Sequence, residues 1–189
     1  MVPRPYPAAQ SASVMQRSGL RLFCRKSARR RGAVEERYSR TTVMNTTKVT
    51  PISVAIITCN EQRNLPGCLQ SVSFASQIVV VDSGSGDDTV KIAREFGCDV
   101  FEEPWRGFGP QKQLAVDRCR NPWILVLDAD ERIPEETARA IGEIVLSSQE
   151  PASGFSFPRK NFFQGRWIRH AGWWPDRVVR LFRRGRGRI

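Results

Sequence analysis

The sequence predicts an α/β fold in which a mostly parallel sheet is flanked by helices on both faces. Extended segments alternate with segments of helical periodicity at least four times, the pattern of a parallel sheet with crossover helices. Three of the extended segments are continuously apolar, as strands buried on both faces are. With 189 residues, 40% hydrophobic and 26% charged, the chain has the composition of one globular domain.

The first predicted elements are two strands with a helix between them. Residues 52–58 (ISVAIIT) and 77–82 (QIVVVD) are the strands, and the second one ends on a carboxylate. Residues 62–73 form the helix, because apolar side chains recur there at helical spacing. These side chains are Leu65, Cys68, Leu69 and Val72.

A second helix, a short strand and a third helix follow. Ser85 is the expected N-cap of the second helix, and Asp87 and Asp88 lie in its first turn, where carboxylates face the positive end of the helix dipole. The strand covers residues 98–102, and the third helix covers residues 111–119 after a Gly-rich loop.

The last predicted elements are a buried strand, a helix and an extended segment. Residues 123–128 (WILVLD) are the strand. Pro134 opens the helix, which runs to about residue 147, because proline is favoured at the first helical position. Residues 154–158 resume an extended pattern.

The net charge of +11 is unevenly distributed along the chain. Residues 1–50 carry 11 basic and 2 acidic side chains, residues 51–158 carry 9 and 16, and residues 159–189 carry 10 and 1. Low hydrophobicity and high charge predict that residues 1–50 are a disordered tail. A transit peptide, or a true start at Met44, explains that segment equally well. The predicted folded domain covers residues 51–189.

Cysteine content and hydropathy indicate where the chain resides. Five cysteines, an odd number without a C-x-x-C pair, favour buried free thiols in a reducing cytosol over disulfides or a zinc site. No run of about 18 apolar residues is present, the length that a membrane-spanning helix needs. We therefore expect a cytoplasmic chain. Its cysteines are Cys24, Cys59, Cys68, Cys98 and Cys119.

Polar residues follow three of the predicted strands at their carboxyl ends. Ligands of parallel α/β sheets bind outside these ends, so the convergence is the main functional signal of the sequence. The residues are Thr58, Asn60 and Glu61 after the first strand, Asp82 and Ser83 after the second, and Asp128 and Asp130 after the fourth.

Asp128 and Asp130 form a D-x-D motif beyond a hydrophobic strand. This spacing lets two carboxylates reach one hard divalent cation, and Mg²⁺ or Mn²⁺ prefers such oxygen ligands. A polar loop whose acids precede the helix at Pro134 is the alternative interpretation. No dinucleotide fingerprint or P-loop occurs, so a bound nucleotide would have to be held by side chains and the metal.

Three ordered signatures resemble those of family 2 glycosyltransferases with the GT-A fold. They are T-C-N-E at 58–61, V-D-S-G-S at 81–85 with Asp87 and Thr89, and L-D-A-D-E at 127–131. Three further blocks resemble lipopolysaccharide core glycosyltransferases, including β-1,4-glucosyltransferases: WRGFGPQKQ at 105–113, FSFPRKN at 155–161 and GWWPDRVVRLF at 172–182. Gly86 departs from the family pattern, which has Thr there, and we expect the turn to tolerate the change.

This resemblance implies a nucleotide-diphosphate sugar donor, with UDP-glucose as the expected one. Residues 51–150 would bind it, and residues 151–189 would form part of an acceptor region. Asp130 would hold the metal, Mg²⁺ or Mn²⁺, through which the diphosphate is bound. Lys112 is either a further phosphate or nucleoside contact or a solvated lysine. The remaining donor residues are Thr58, Asn60 and Glu61 near the nucleoside, Asp82 near the base, and Asp128 at the ribose or the metal.

The reaction that the resemblance implies is glycosyl transfer with inversion, which needs one general base. Asp176 lies in the aromatic segment W-W-P-D and is the candidate base, although a salt bridge to Arg177 or Arg180 explains it equally well. Related proteins continue into a block with a His-Glu pair, whereas this chain stops at Ile189. The alternative function is therefore a truncated, catalytically incomplete fragment that binds a nucleotide sugar.

Residues 159–189 interleave arginines with aromatic side chains. This composition suits a phosphorylated, lipid-linked glycan acceptor or a peripheral contact with the anionic inner face of the cell membrane. A core strand around residues 178–182 with solvated arginines is the simpler interpretation. We expect no nucleic-acid partner, because no nucleic-acid-binding module accompanies the basic ends and the strand-end carboxylates repel phosphate.

Overall fold

The computed structural model describes residues 13–15, 21–23, 49–147, 152–170 and 172–189. Within these ranges the chain forms ten strands and four helices and has the predicted α/β class. The strands are β1 (Ser13–Met15), β2 (Arg21–Phe23), β3 (Thr50–Thr58), β4 (Ala75–Asp82), β5 (Asp99–Glu102), β6 (Trp123–Asp128), β7 (Glu131–Arg132), β8 (Gly154–Phe163), β9 (Arg166–Trp167) and β10 (Asp176–Arg183). The helices are α1 (Leu65–Ser71), α2 (Thr89–Glu95), α3 (Phe108–Asp117) and α4 (Glu135–Leu146).

The sheet has two halves that differ in strand direction. The parallel half has the order β5-β4-β3-β6, and its parallel pairing is the one predicted from the alternating pattern. The antiparallel half starts at β10, which pairs antiparallel with β6, and continues to β8. The junction between the halves is therefore the β6–β10 pair, where Leu125 lies opposite Leu181.

Helices cover both faces of the parallel half, as expected. Leu69 of α1, Ala93 of α2 and Ile141 of α4 belong to one apolar cluster with every second residue of the central strands. Ala115 and Val116 of α3 belong to a second cluster, on the opposite face. No described helix has the length and apolarity that crossing a bilayer requires.

All four predicted helix starts are displaced in the structure, and α1 covers Leu65–Ser71 instead of residues 62–73. Ser85 is not the N-cap of α2: its hydroxyl donates to the Asp82 carboxylate, and Asp88 is the residue that precedes the helix. Asp87 and Asp88 therefore lie before the helix, and not in its first turn, where the sequence predicts them. Helix α3 begins at Phe108 instead of residue 111, because Pro110 is tolerated in a first turn whose N–H groups have no helical partner. Pro134 is the N-cap of α4, one position before the predicted place.

The N-terminal strands join the antiparallel half. Strand β1 lies between β7 and β8, and β2 pairs with β8. The disorder predicted for residues 1–50 stays a prediction, because most of those residues lie outside the described part of the chain.

The four described cysteines are free thiols, as predicted. Cys68 and Cys119 are buried, and burial raises the pKa of both thiols to about 12. Cys59 differs from the prediction, since it is exposed at the end of β3. Cys24 lies outside the described residues.

Candidate functional site

The strand register brings the predicted polar residues to one edge of the sheet. Thr58 lies opposite Asp82, and Ile57 lies opposite Asp128, so strands β3, β4 and β6 end side by side. We call this region the carboxyl edge and define it by residues 58–61, 82–89 and 128–131. Its formation confirms the predicted convergence of polar residues at the strand ends.

The Asp82 carboxylate anchors the loop that follows β4. Oδ1 accepts the backbone N–H groups of Gly84 and Ser85 at 2.9 and 2.8 Å. Oδ2 accepts the hydroxyl of Thr58 at 2.9 Å and that of Ser85 at 2.5 Å. Because the side chain is completely buried, it positions the loop, and a direct contact with a base stays a prediction.

Asn60 ties the loop after β3 to the loop after β4. Its backbone N–H donates to the Ser85 hydroxyl, and its Oδ1 accepts the Gly86 N–H, each at 2.8 Å. A Cβ added at Gly86 would lie 3.9 Å from Asn60 Oδ1, an ordinary van der Waals distance. The turn therefore accommodates either Gly or the Thr of the family pattern.

Glu61 is a half-buried carboxylate near Asp130. Its backbone N–H donates to the Thr89 hydroxyl at 2.8 Å, and its carboxylate accepts the Asn64 amide at 2.9 Å. Burial raises the pKa of Glu61, the Asn64 hydrogen bond opposes this shift, and the negative charge of Asp130 adds to it. The carboxyl edge is thus a place where negative charge is concentrated and where a cation would be stabilised.

Asp128 is held between two cations. Lys112 of α3 places Nζ 2.5 Å from Oδ1, and Arg180 of β10 places a terminal nitrogen 2.9 Å from Oδ2. Burial alone would raise the pKa of Asp128, but the charges of Arg180 and Lys112 outweigh it and the pKa lies below its usual value. Asp128 is therefore ionised, with an ionic partner on each oxygen.

Arg180 and Glu131 are the residues that the sequence did not assign to the site. Arg180 also contacts Glu131 Oε1 at 2.7 Å, and Glu131 Oε2 accepts the Asp128 backbone N–H at 3.0 Å. The side chain of Glu131 is only 1% exposed, and burial raises its pKa despite the nearby Arg180. The expectation of solvated arginines around residues 178–182 is wrong for Arg180, whose side chain is 5% exposed. Its position between apolar neighbours in V-V-R-L-F is the sequence signal that would have indicated burial.

Asp176 lies at the start of β10 in a tight ion pair. Its Oδ2 accepts two N–H groups of Arg159, at 3.0 and 2.7 Å, and the Asn161 amide at 3.0 Å. Burial raises the pKa of Asp176, but the hydrogen bonds from Asn161 and Arg159 outweigh it, so the net shift is downward. The ion pair that the alternative interpretation expected is present, but its partner is Arg159 instead of Arg177 or Arg180.

The donor atoms at the carboxyl edge suit a hard cation in part. Asp130 is half-buried beside Asp128, and two carboxylates plus water and phosphate oxygens are the usual set for Mg²⁺ or Mn²⁺. Both oxygens of Asp128 are engaged by Lys112 and Arg180. Across the described ranges, no cluster of three or more His, Cys, Asp or Glu side chains is arranged to hold a metal ion. The two carboxylates fit the metal if the Lys112 contact opens.

Two cavities lie away from the carboxyl edge. One, of about 220 Å³, is lined by residues such as Phe96, Asp99 and Arg120 near the amino end of β4. The other, of about 380 Å³, lies between the end of α3 and residues 184–188. Neither contains a residue of the carboxyl edge.

A second surface lies on the antiparallel half. Phe163 and Trp173 are exposed, and Trp167 and Trp174 pack edge to face with their ring centres 5.2 Å apart. Lys160 and Arg169 stack on Trp167 at 4.5 and 4.2 Å from the ring centre. We call this the aromatic–basic surface and define it as Lys160, Phe163, Trp167, Arg169, Trp173 and Trp174. The core strand predicted near residues 178–182 is also present, as part of β10.

A parallel sheet between helices, with acidic side chains gathered at its carboxyl edge, is the arrangement expected of a GT-A glycosyltransferase. Residues 53–186 match the family model of Glycosyl transferase family 2, and the chain belongs to this family.

The relatives include proteins of several bacteria. The chain is 35% identical over 148 residues to the lipopolysaccharide core biosynthesis glycosyltransferase LpsC of Rhizobium meliloti, covering 73% of this chain and 53% of that protein. It is 39% identical over 108 residues to an uncharacterized glycosyltransferase of Rickettsia conorii, covering 57% of this chain and 38% of that one. The chain thus spans about half the length of LpsC and less of the Rickettsia protein.

Solved structures with a similar arrangement are bacterial as well. Staphylococcus aureus TarS 1–349 in complex with UDP-GlcNAc has a TM-score of 0.44 and 21% identity, over 51% of this chain and 31% of that one. Mycobacterium tuberculosis glucosyl-3-phosphoglycerate synthase in complex with Mn²⁺, UDP-Glc and phosphoglyceric acid has a TM-score of 0.38 and 25% identity, over 42% and 33%.

Proposed function

We propose that this chain transfers a sugar from a nucleotide-diphosphate donor to a glycan of the cell envelope, with inversion at the anomeric carbon. The observation that carries the proposal is the carboxyl edge, where the ends of β3, β4 and β6 bring Thr58, Asp82 and Asp128 together. Similarity to LpsC, which is named for lipopolysaccharide core biosynthesis, supports a core-type acceptor. UDP-glucose is the proposed donor.

The carboxyl edge provides different groups for different parts of the donor. Asn60 is exposed and Glu61 half-buried, and both lie in the loop beside β3, where the nucleoside would bind. Asp82 and Thr58 would act by holding this loop and the next in place, since they bond to each other. Asp128 would accept a ribose hydroxyl or a metal, and Lys112 lies close enough to it to reach the diphosphate.

Asp130, with Asp128, would hold Mg²⁺ or Mn²⁺ at the same edge. Such an ion, when bound, neutralises the charge of the diphosphate leaving group. The residues themselves would bind and orient the donor: Asp128 and Asp130 through the metal, and the Lys112 ammonium, 2.5 Å from Asp128, by direct contact with the diphosphate. This arrangement would favour departure of the nucleoside diphosphate, because the developing negative charge meets the positive charge of the Lys112 ammonium.

Binding without turnover is the second candidate function. Asp176, the proposed base, has a lowered pKa and is engaged by Arg159 and Asn161. A general base is most effective when its pKa lies near the working pH. The observed ion pair therefore favours a positioning role for Asp176 and gives weight to a chain that binds a nucleotide sugar without transferring it.

Calorimetry with UDP-glucose and Mg²⁺ or Mn²⁺, combined with an assay of UDP release, tests the proposed function. We expect binding that requires the metal and is lost in Asp130→Ala. Asp117→Ala is the matched control, because Asp117 is exposed at the far end of α3. Binding with UDP release supports the transferase, and binding without release supports the second candidate. If neither metal supports binding to the unaltered chain, the proposal fails.

The aromatic–basic surface is the proposed contact with the inner face of the cell membrane. Each basic residue near an anionic lipid surface contributes about 1 kcal/mol, and aromatic rings favour the interface. Lys160 and Arg169 stack on Trp167, and Phe163 and Trp173 are exposed beside them. A lipid-linked acceptor would then lie at the same side of the sheet as the contact.

Sedimentation with vesicles tests this contact. We expect binding to vesicles that contain anionic lipid, with weaker binding to neutral ones and at high salt. Trp173→Ala should weaken binding, while Trp105→Ala is the control, because Trp105 is similarly exposed outside the aromatic–basic surface. Equal binding to neutral and anionic vesicles, or equal loss in both variants, would contradict the proposed surface.

A further inference from the structure

The two cations that hold Asp128 differ in how firmly they are themselves held. Arg180 belongs to a closed set of contacts, because it bonds Asp128 and Glu131 while Glu131 accepts the Asp128 backbone N–H. Its side chain is 5% exposed. Removing Arg180 from this set would leave the buried Glu131 carboxylate without its nearest counter-ion, so breaking the contact is costly in the folded protein.

Lys112, in contrast to Arg180, is held by few contacts. Its contact with Asp128 Oδ1 is a single ion pair, and its side chain is 19% exposed. A lysine side chain is a point charge on a flexible stem with three rotatable donors, so it changes partner at low cost. The base of α3 is fixed by another residue: Gln111 is completely buried and donates from Nε2 to the Ser83 hydroxyl at 3.1 Å. Lys112 therefore moves without displacing its helix.

With Lys112 and Arg180 both in place, each oxygen of Asp128 has a cationic partner, and Lys112 is the partner that Asp128 does not share with Glu131. A divalent cation that approaches Asp128 alone meets the Lys112 ammonium at the same oxygen. Like charges at such short distances repel strongly in a partly buried site. A diphosphate changes this balance, since it offers the ammonium a new anionic partner.

We propose that Lys112 is an exchangeable counter-ion of Asp128. Without donor, its ammonium neutralises Asp128 Oδ1. When a nucleoside diphosphate binds, the ammonium moves to the diphosphate and frees Oδ1 for a divalent cation or a ribose hydroxyl, while Arg180 keeps Oδ2 in place. The inference rests on the proposed function and adds to it. Binding of metal and nucleotide is cooperative, because Lys112 occupies the metal's oxygen on Asp128 until the diphosphate binds the ammonium.

Manganese binding to the full chain, followed by electron paramagnetic resonance with and without UDP, tests this exchange. For the unaltered chain we expect weak Mn²⁺ binding alone and binding tightened by UDP roughly 5- to 150-fold, the usual range of coupling between two ligands. In Lys112→Met, Mn²⁺ alone should bind more tightly, UDP more weakly, and the coupling between them should largely disappear. If Lys112 only contacted phosphate, its replacement would not raise the affinity of the chain for Mn²⁺ alone.

Lys91→Met is the matched control, because Lys91 is exposed on α2 and should leave both affinities unchanged. Thermal unfolding shows whether Lys112→Met is folded, and Lys112→Gln serves in its place if it is not, since the amide keeps a polar contact without the charge. Unchanged or weaker Mn²⁺ binding in the folded variant would overturn the exchange.

The failure of this inference is distinguishable from that of the proposed function. If the unaltered chain binds UDP and Mn²⁺ but the Lys112 variant shows no gain in affinity for the metal, only the exchange is wrong. If the unaltered chain binds neither UDP nor Mn²⁺ in any combination, the proposed function fails and the exchange fails with it.

Discussion

The parallel and antiparallel halves share one sheet but carry opposite charge. Residues 51–158, which contain the parallel half, hold 16 acidic and 9 basic side chains, whereas residues 159–189 hold 1 and 10. In the parallel half seven of the 16 acids lie at the carboxyl edge. In the antiparallel half Arg169 stacks on Trp167, and Arg180 reaches across to Asp128. The net charge of +11 therefore describes neither half.

The two halves are joined by a chain of alternating charges. Lys112 pairs with Asp128, and Asp128 with Arg180. Arg180 pairs with Glu131, which also lies 3.6 Å from Arg159. The opposite charges of the two halves thus hold them together, because arginines of the basic half are counter-ions of the acidic carboxyl edge. Four measurements test this comparison, three at or near the junction and one far from it.

Loss of Arg180 should be the most damaging of these changes. Arg180→Leu removes the counter-ion that Asp128 and Glu131 share, and breaking a buried pair in this way costs about 3–5 kcal/mol. Urea denaturation of the full chain measures the free energy of unfolding. A loss below about 1 kcal/mol would show that the halves are not joined by this contact.

The apolar part of the junction is tested by a double-mutant cycle. Leu125 of β6 and Leu181 of β10 are opposite each other and fully buried in one cluster, so each change to Ala should cost about 2–5 kcal/mol. Because they are neighbours, we expect the two losses to differ from additivity by about 0.5–3 kcal/mol. Additive losses measured by urea denaturation would indicate two independently packed halves.

The Asp176 ion pair gives a smaller effect that depends on pH. Its pKa is lowered in the folded state, so the stability that it contributes is present above the ordinary aspartate pKa and is lost as pH falls through the lowered value. Asp176→Asn should cost about 1.5 kcal/mol at pH 7. The difference from the unaltered chain should shrink towards pH 3, and a constant difference from pH 7 to 3 would contradict the assigned ion pair.

The smallest effect is expected far from the junction. Arg139 and Glu135 form an exposed pair on α4 at 3.3 Å. Arg139→Ala should change the free energy of unfolding by at most about 0.5 kcal/mol, as exposed helix pairs do. A loss as large as that of Arg180→Leu would mean that charge removal in general, and not the junction, determines the stability.

Much of the parallel half was predictable because it follows local rules. The buried strand at 123–128 is visible in the hydrophobic pattern, and the structure places it as expected, with Asp128 at its end. Ser85 shows where a local rule fails. Its hydroxyl donates to the buried Asp82 carboxylate instead of capping the helix.

The junction was not predictable from local pattern. Arg180 and Asp128 are 52 residues apart, and only the pairing of β10 with β6 brings them together. Lys112 was recognised as a candidate, but its pairing with Asp128 depends on which face of the sheet α3 covers. Such contacts depend on the register of distant elements, which a sequence pattern does not specify.

The central claim is that the carboxyl edge binds a nucleoside diphosphate. The most direct measurement is a titration of the ¹⁵N-labelled chain with UDP and Mg²⁺, followed through its amide resonances. The account predicts shifts concentrated at residues 58–61, 82–89 and 128–131 and at Lys112. Shifts concentrated instead around the cavity at Phe96 and Arg120, or on the aromatic–basic surface, would contradict it.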